Sequence, residues 1–250
     1  MIVSDKYRFV LVQVPQTGST SLGRHLVDVA EGRNVLLKHS TLDEAHWLLG
    51  DQIRGYRVVA SVRNPVDQLV SSFYKLREDR HHLKDRGFPG VNQSARERLE
   101  WASAPERTLD EYVLTFIRRV HAPVWVRCMR RADIMLGFES LQEDTDRMFE
   151  ELSIPRCGDM PFVNPTRRTG ESTFGPAAAS HLADLYGPFM SEWGYARPSG
   201  ASEPSAPGRA YRKVQYEVAI RAKVLRRRRK LPRLREAVAE FDAKRAAAKP

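Results

Sequence analysis

Four short apolar runs recur along the first 140 residues and are separated by polar or helical segments. Residues 8–14, 56–62 and 133–138 are largely apolar throughout, which is typical of strands that are buried on both faces. Residues 35–37 form a shorter run that predicts a further strand. Because these runs alternate with helical segments, the sequence predicts an α/β fold in which helices flank a parallel sheet.

The segments between these runs carry apolar residues at the three- and four-residue spacing of amphipathic helices. Helices are predicted at residues 21–31, 41–49, 65–76, 108–131, 141–152 and 177–193. Thr41 followed by Glu44 matches a capping box, and Pro65 suits a first helical position. Pro123 is expected to kink or divide the helix that contains it.

Two segments interrupt the alternation. Residues 77–107 are charged with few apolar anchors, and they predict either a solvated stretch with short helices or a lid over a site. Residues 197–210 are rich in Pro, Ser, Gly and Ala, which is typical of a linker. The predicted organisation is therefore a domain at residues 1–196, that linker, and a helical tail at residues 211–250.

The charge of the chain is concentrated in this tail. The 250 residues carry a net charge of +10, and 15 of the 41 Lys and Arg residues follow position 208, against 4 of the 31 acidic ones. The remainder is close to neutral, with 26 basic and 27 acidic residues. Nucleic-acid binding is therefore not predicted for the body. The tail could bind nucleic acid or an anionic membrane surface, and the alternative is a solvated helix that docks on a partner subunit.

The composition also bears on the cellular location of the protein. No apolar run approaches the roughly 20 residues that span a bilayer, and the first residues do not resemble a signal peptide. A cytoplasmic protein is expected, with membrane association only through the tail. Cys128 and Cys157 are the only cysteines, so two buried thiols are predicted rather than disulfides or a metal site. His81 and His82 are expected to be solvated.

A loop of small and hydroxylated residues follows the first predicted strand and precedes a helix. It comprises Pro15, Gln16, Thr17, Gly18, Ser19, Thr20 and Ser21. In such a P-loop-like joint, backbone N–H groups and the helix N-terminus bind phosphate, and Gly18 permits close approach. The pattern of nucleoside-triphosphate loops is absent, which argues against a kinase. A joint that binds no ligand is the alternative.

A second segment of interest follows the strand at residues 56–62. Arg63 stands at the carboxyl end of that strand, where open α/β sheets bind ligands. Ser71 lies about two turns along the next helix. The alternative is that Arg63 caps a neighbouring carbonyl and Ser71 faces solvent.

Together the two segments resemble the sulfotransferase superfamily, particularly its carbohydrate-type and bacterial members. The first is similar to the motif P-K-[TS]-[GA]-[ST]-[ST], and the second, about 45 residues later, to R-[DN]-P-x-[DE]-x-x-x-S-x-[YF]. Residues 137–141, 162–166 and 186–195 are similar to later motifs of that superfamily. The resemblance covers residues 8–195.

The resemblance implies transfer of a sulfuryl group from 3′-phosphoadenosine 5′-phosphosulfate (PAPS) to a hydroxyl or amine. The acceptor would be a carbohydrate, a lipid or a small metabolite. Pro15 through Ser21 would hold the 5′-phosphosulfate, Arg63 and Ser71 the 3′-phosphate, and Arg167 or Arg168 would close over the nucleotide. No metal is required.

Gln16 departs from the superfamily motif, because it replaces the lysine that helps bind the transferring group. Another cation, Lys38, Lys75 or Arg24, could supply the charge. Otherwise the enzyme is slow or uses an activated acceptor, or the chain binds nucleotide without catalysis.

A general base is also required, and His39 is the candidate because it follows the second predicted strand and histidine has a suitable pKa. Glu44 and His46 are weaker candidates. The alternative is that His39 only caps or packs.

Overall fold

The computed structural model of the chain describes residues 1–79, 93–156, 158–161 and 173–247. It contains a five-stranded sheet in the order β3-β1-β2-β4-β5. The strands are β1 (Ile2–Ser4), β2 (Phe9–Val12), β3 (Arg33–Asn34), β4 (Arg57–Val62) and β5 (Ile134–Gly137). β2, β4 and β5 run parallel, with Leu11 opposite Val59 and Val59 opposite Ile134. The three strands predicted from the longer apolar runs are therefore confirmed.

The predicted all-parallel sheet is wrong at one edge. β1 pairs antiparallel with both β2 and β3, so the sheet is mixed. The strand predicted at residues 35–37 is also wrong, because the pairing residues are the exposed Arg33 and Asn34. Val35 and Leu36 are buried outside any strand, and the positive φ of Leu36, 56°, is incompatible with an extended strand. Their apolar character therefore reflects burial at a bend outside the sheet.

Ten α-helices accompany the sheet in the described part of the chain. They are α1 (Ser19–Val29), α2 (Leu42–Leu49), α3 (Pro65–Arg77), α4 (Gln93–Ser103), α5 (Leu109–Phe116), α6 (Val126–Met129), α7 (Leu141–Glu151), α8 (Pro176–Glu192), α9 (Ala206–Arg229) and α10 (Leu231–Ala247). The capping box of Thr41 and Glu44 is confirmed. The helix predicted at residues 108–131 divides into α5 and α6, which is consistent with the position of Pro123 between them.

The chain forms two compact units. The first comprises Met1–Arg63, Pro123–Val163 and Val218–Pro250, and the second Asn64–Ala122 and Asn164–Glu217. The first unit contains the whole sheet. Its core is a cluster in which Leu22 and Leu26 of α1 and Phe149 of α7 pack with residues of the strands. Truncating one of these leucines to alanine costs about 2–5 kcal/mol of unfolding free energy.

The second unit is helical. Its core joins α3, α5 and α8 around Phe73, Tyr112, Leu182 and Tyr186. The ring centroids of Phe73 and Tyr112 are 5.3 Å apart, which is a favourable separation for an aromatic pair. The helices that were predicted at residues 65–76 and 177–193 are both confirmed.

The first helix of the tail has one packed face. α9 buries Tyr216, Ile220 and Val224. Arg212 of the same helix forms an ion pair with Asp184 of α8 within the second unit. α9 is therefore not a fully solvated helix, because one of its faces contributes buried apolar residues.

Candidate functional site

The loops that follow β2, β4 and β5 meet in the first unit. Arg63, directly after β4, is buried and stacks its guanidinium 3.9 Å from the ring centroid of Phe138, which follows β5. The Arg63 Nη1 donates a hydrogen bond to the backbone oxygen of Gln16, at 3.1 Å. The carboxyl ends of the three parallel strands are thus linked, at the edge where open α/β sheets place ligand sites.

The loop before α1 has an unusual backbone. Gln16 and Gly18 both take positive φ angles, 63° and 70°, and Thr17 lies between them. The Thr17 side chain is completely buried, donates to the backbone oxygen of Val14 at 2.8 Å and lies 2.5 Å from the Ser61 hydroxyl. Thr17 therefore anchors the loop from within. Gly18 is the N-cap of α1 and makes no side-chain capping bond.

Gly18 is required for two separate reasons, backbone conformation and space. A Cβ atom there would lie 2.5 Å from Leu141 Cδ2, in addition to the strain of φ +70°. We expect Gly18→Ala to lower the free energy of unfolding by about 2–4 kcal/mol. Gly194→Ala is the matched control, since Gly194 has φ +71° but a Cβ atom added there would meet nothing within 4 Å. Urea denaturation that gives equal losses in the two variants would contradict the steric argument.

The substitute cations proposed for Gln16 occupy different places. Lys38 Nζ donates to Thr20 Oγ1 at 2.7 Å, in the first turn of α1. Burial and the nearby Arg24 guanidinium lower the pKa of Lys38 below its ordinary value. Lys75 lies in the last turn of α3, in the second unit. Gln16 itself is exposed. Lys38 is therefore the candidate whose ammonium group directly touches the loop–helix junction.

His39 has a defined hydrogen-bonding arrangement. Its Nδ1 lies 2.7 Å from the backbone oxygen of Gln13. Because a carbonyl oxygen only accepts, Nδ1 must carry the proton, and in the neutral ring Nε2 then holds the lone pair. Burial lowers the pKa of His39 below 6.5, and the charges of Lys38, the Met1 amino group and Arg227 lower it further. These features fit a neutral imidazole that can accept a proton.

Gln13 was not among the predicted site residues. It is buried, donates from Nε2 to the Ser19 backbone oxygen at 3.1 Å, and holds His39 through its own backbone oxygen. It thereby joins the start of α1 to the candidate base. Its only sequence signal was a polar residue inside the apolar run of residues 8–14.

The other predicted residues are distributed as follows. Ser19 and Ser21 are buried in α1, and Pro15 is half-buried. Ser71 is completely buried on α3, so the solvent-facing alternative for it is wrong. Arg167 and Arg168 lie outside the described residues, as do His81, His82 and part of the predicted lid.

The weaker candidates for the base are engaged elsewhere. Glu44 closes the capping box of α2, accepting from the Thr41 backbone N–H at 2.6 Å. The His46 ring lies 3.2 Å from Arg131 Nη2, and its pKa is lowered, mainly by burial. These contacts hold both groups at α2, whereas His39 is held by Gln13, just before the loop that precedes α1.

The described residues show no cluster of three or more His, Cys, Asp or Glu side chains that could hold a metal ion. Cys128 is buried, as predicted, and its sulfur accepts from the Leu42 backbone N–H at 3.2 Å. Burial raises the pKa of this thiol to about 11, so it stays protonated at neutral pH. Cys157 lies outside the described residues.

Comparison with known families agrees with the motifs. A family model described as "Sulfotransferase family" matches residues 1–173 of the chain. The chain belongs to the sulfotransferase family. The resemblance inferred from the two loops is thus confirmed, and the matched region includes β1 through α7. No curated protein and no solved structure gives a match.

In the portions of this sulfotransferase that the structure describes, no helix combines the length and apolar character needed to cross a membrane. α8, α9 and α10 lie beyond the segment that the family model matches.

Proposed function

We propose that this sulfotransferase uses PAPS as donor and transfers its sulfuryl group to a hydroxyl or amine of a carbohydrate, lipid or small metabolite. The observation that carries the proposal is the hydrogen bond from Lys38 Nζ to Thr20 Oγ1. Through this bond an ammonium group lies at the loop–helix junction. Since Gln16 stands where the family motif has lysine, this supports Lys38 as the source of the missing charge. A charge-assisted hydrogen bond is about twice as strong as the neutral one that Gln16 could donate.

The proposed chemistry needs no resident cofactor. An acceptor oxygen attacks the sulfur in line with the bond to the 5′-phosphate, the S–O bond breaks, and its electrons leave with 3′-phosphoadenosine 5′-phosphate. His39 Nε2 takes the acceptor proton. Lys38 and the N–H groups at the start of α1 stabilise charge on the leaving phosphate. In this scheme the protein contributes position and electrostatics, as in phosphoryl transfer.

Nucleotide binding is tested with Arg63. We expect millimolar 3′-phosphoadenosine 5′-phosphate to raise the Tm of the wild type, and Arg63→Ala to remove the shift, because each lost charged hydrogen bond costs about 1.5–3 kcal/mol. Arg57→Ala is the control, since Arg57 begins β4 and pairs with Glu151, while Arg63 follows the other end of that strand. A wild type with no shift would sink the proposal.

A non-catalytic nucleotide-binding protein is the competing proposal, and Gln16 is its support. The two are separated by a transfer screen with labelled donor against metabolite extract, followed by mass spectrometry of the labelled product. Nucleotide binding without transfer to any acceptor, together with activity gained in Gln16→Lys, favours the non-catalytic protein. The same screen identifies the acceptor class.

The membrane contact proposed for the tail needs a separate test. Removing the whole tail would delete the buried Tyr216, Ile220 and Val224, so a truncation confounds binding with folding. Charge-removing substitutions of the exposed Arg226 and Arg229 avoid this. Loss of binding to vesicles that contain anionic lipid, with unchanged Tm, would support the contact.

A further inference from the structure

The four arginines of the run Arg226–Arg229, at the end of α9, differ in their exposure to solvent. Arg226, Arg228 and Arg229 are exposed, whereas Arg227 is half-buried and donates hydrogen bonds to residues of the first unit. Arg228 lies 5.9 Å from the ring centroid of Trp47, but it is Arg227 that has hydrogen-bonding surroundings that a solvated basic tail would not provide. Arg227 also lies outside the residues that the family model matches.

Arg227 contacts the segment that carries the proposed base. Its Nη1 donates to Glu44 Oε2 at 2.7 Å and to the backbone oxygen of His39 at 3.3 Å. The guanidinium also lies 5.2 Å from the ring centroid of Trp125. Trp125 in turn donates from Nε1 to the same His39 oxygen, at 3.3 Å. The backbone of His39 is therefore held from two sides, while its ring is held by Gln13.

The buried carboxylate of Glu44 explains why the Arg227 guanidinium lies beside the backbone of His39. Its side chain is only 6% exposed, and Oε2 already accepts from the Thr41 backbone N–H and hydroxyl. A buried carboxylate is costly unless it is paired with a cation. Arg227 supplies that charge and, from the same guanidinium nitrogen, reaches His39. The start of α2 and the candidate base are thereby coupled to α9.

We propose that Arg227 is a positioning residue for His39, so that α9 completes the working site although it lies beyond the matched family region. This inference rests on the proposed function, in which His39 accepts the acceptor proton. Arg227 acts through Glu44, Trp125 and the backbone of His39 rather than on the reacting atoms, because it fixes the backbone from which the imidazole projects. Misplacement of a catalytic group by about 1 Å can cost on the order of a hundredfold in rate.

The test compares Arg227→Met with Arg229→Met. Methionine removes the cation and its donors but keeps an apolar stem for Trp125, and Arg229 is the exposed neighbour that controls for lost charge. We expect Arg227→Met to lower kcat by about tenfold to a hundredfold. The KM for PAPS is expected to change less than about threefold, because Arg227 acts on the base and not on the nucleotide loop. Arg229→Met is expected to behave as wild type.

His39 titration gives a readout that does not depend on turnover. The cations acting on His39 are Lys38 and Arg227, joined by the Met1 amino group only at low pH, because burial lowers the pKa of that amino group to about 5. Arg227 also holds Glu44. Removing the Arg227 charge raises the pKa of His39, so the NMR titration of its ring and the acid limb of kcat should both move to higher pH. A change of fold stability alone does not produce this shift.

The outcomes separate the two proposals. If the wild type neither binds nor uses the nucleotide, the proposed function fails, while the His39 titration still reports on Arg227. If the wild type transfers sulfate and Arg227→Met keeps both its turnover and its His39 titration, this inference alone is overturned. If Arg227→Met does not fold, Arg227→Lys decides, since lysine can pair with Glu44 but lacks the forked donors. Because lysine keeps the charge, the His39 titration should stay close to that of the wild type, whereas unchanged turnover in that variant contradicts the inference.

Discussion

Lys38→Met is expected to lower kcat/KM for sulfuryl transfer by about 10²- to 10³-fold, which is the usual effect of removing one preorganised donor to developing charge. The physical reason is the position of its ammonium group, 2.7 Å from Thr20 Oγ1 in the first turn of α1, beside a loop in which Gln16 is uncharged. Steady-state rates with labelled PAPS provide the measurement. Methionine keeps most of the apolar stem, so the Tm should change little.

Two further variants make this experiment decisive. Lys75→Met is the control, because Lys75, in the last turn of α3, is a rival cation for the same role. The double variant with Gln16→Lys and Lys38→Met should have a kcat/KM at least about tenfold higher than that of Lys38→Met alone, since it has a cation within the loop itself. Full activity in Lys38→Met, or loss only in Lys75→Met, would assign the missing charge elsewhere.

His39→Asn is the second large effect, with an expected fall in kcat of about 10²- to 10⁴-fold. Asparagine is chosen because its amide N–H can still donate to the Gln13 backbone oxygen, which His39 Nδ1 contacts at 2.7 Å, while the lone pair of Nε2 is lost. The loop should therefore stay in place. Affinity for 3′-phosphoadenosine 5′-phosphate, measured by calorimetry, should remain close to that of the wild type.

The pH profile identifies the role of His39. A base must be neutral, and burial lowers the pKa of His39 below 6.5, so wild-type kcat should fall only as pH drops below that value. At neutral pH the ring is already deprotonated and the rate should be level. The acid limb should vanish in His39→Asn. An acid limb that persists unchanged in the variant would exclude His39 as the titrating base.

Several features could be read from the sequence because they depend on local chemistry. The apolar runs predicted β2, β4 and β5, and Thr41 with Glu44 predicted the start of α2, since a capping box joins residues only three positions apart. The family also followed from two motifs. By contrast, residues 35–37 were misassigned as a strand because a buried bend and a buried strand are equally apolar.

In the tail, too, the sequence shows composition but not which side chains make contacts with distant segments. Its charge was evident from composition, yet nothing in the run Arg226–Arg229 distinguishes Arg227 from its neighbours. The difference arises because helical geometry turns only one of these side chains toward Glu44 and His39, which lie more than 180 positions earlier in the chain.

By itself, the sequence determined that this chain is a sulfotransferase with a strand–loop–helix joint at Pro15–Ser21, and that Gln16 leaves the expected charge missing there. It left three cations as equal substitutes. Tertiary structure alone placed Lys38 at Thr20, fixed the tautomer of His39 through Gln13 and turned Arg227 inward. The reason is physical: motifs record contacts between neighbours in the chain, whereas these three depend on which distant segments the fold brings within hydrogen-bond distance.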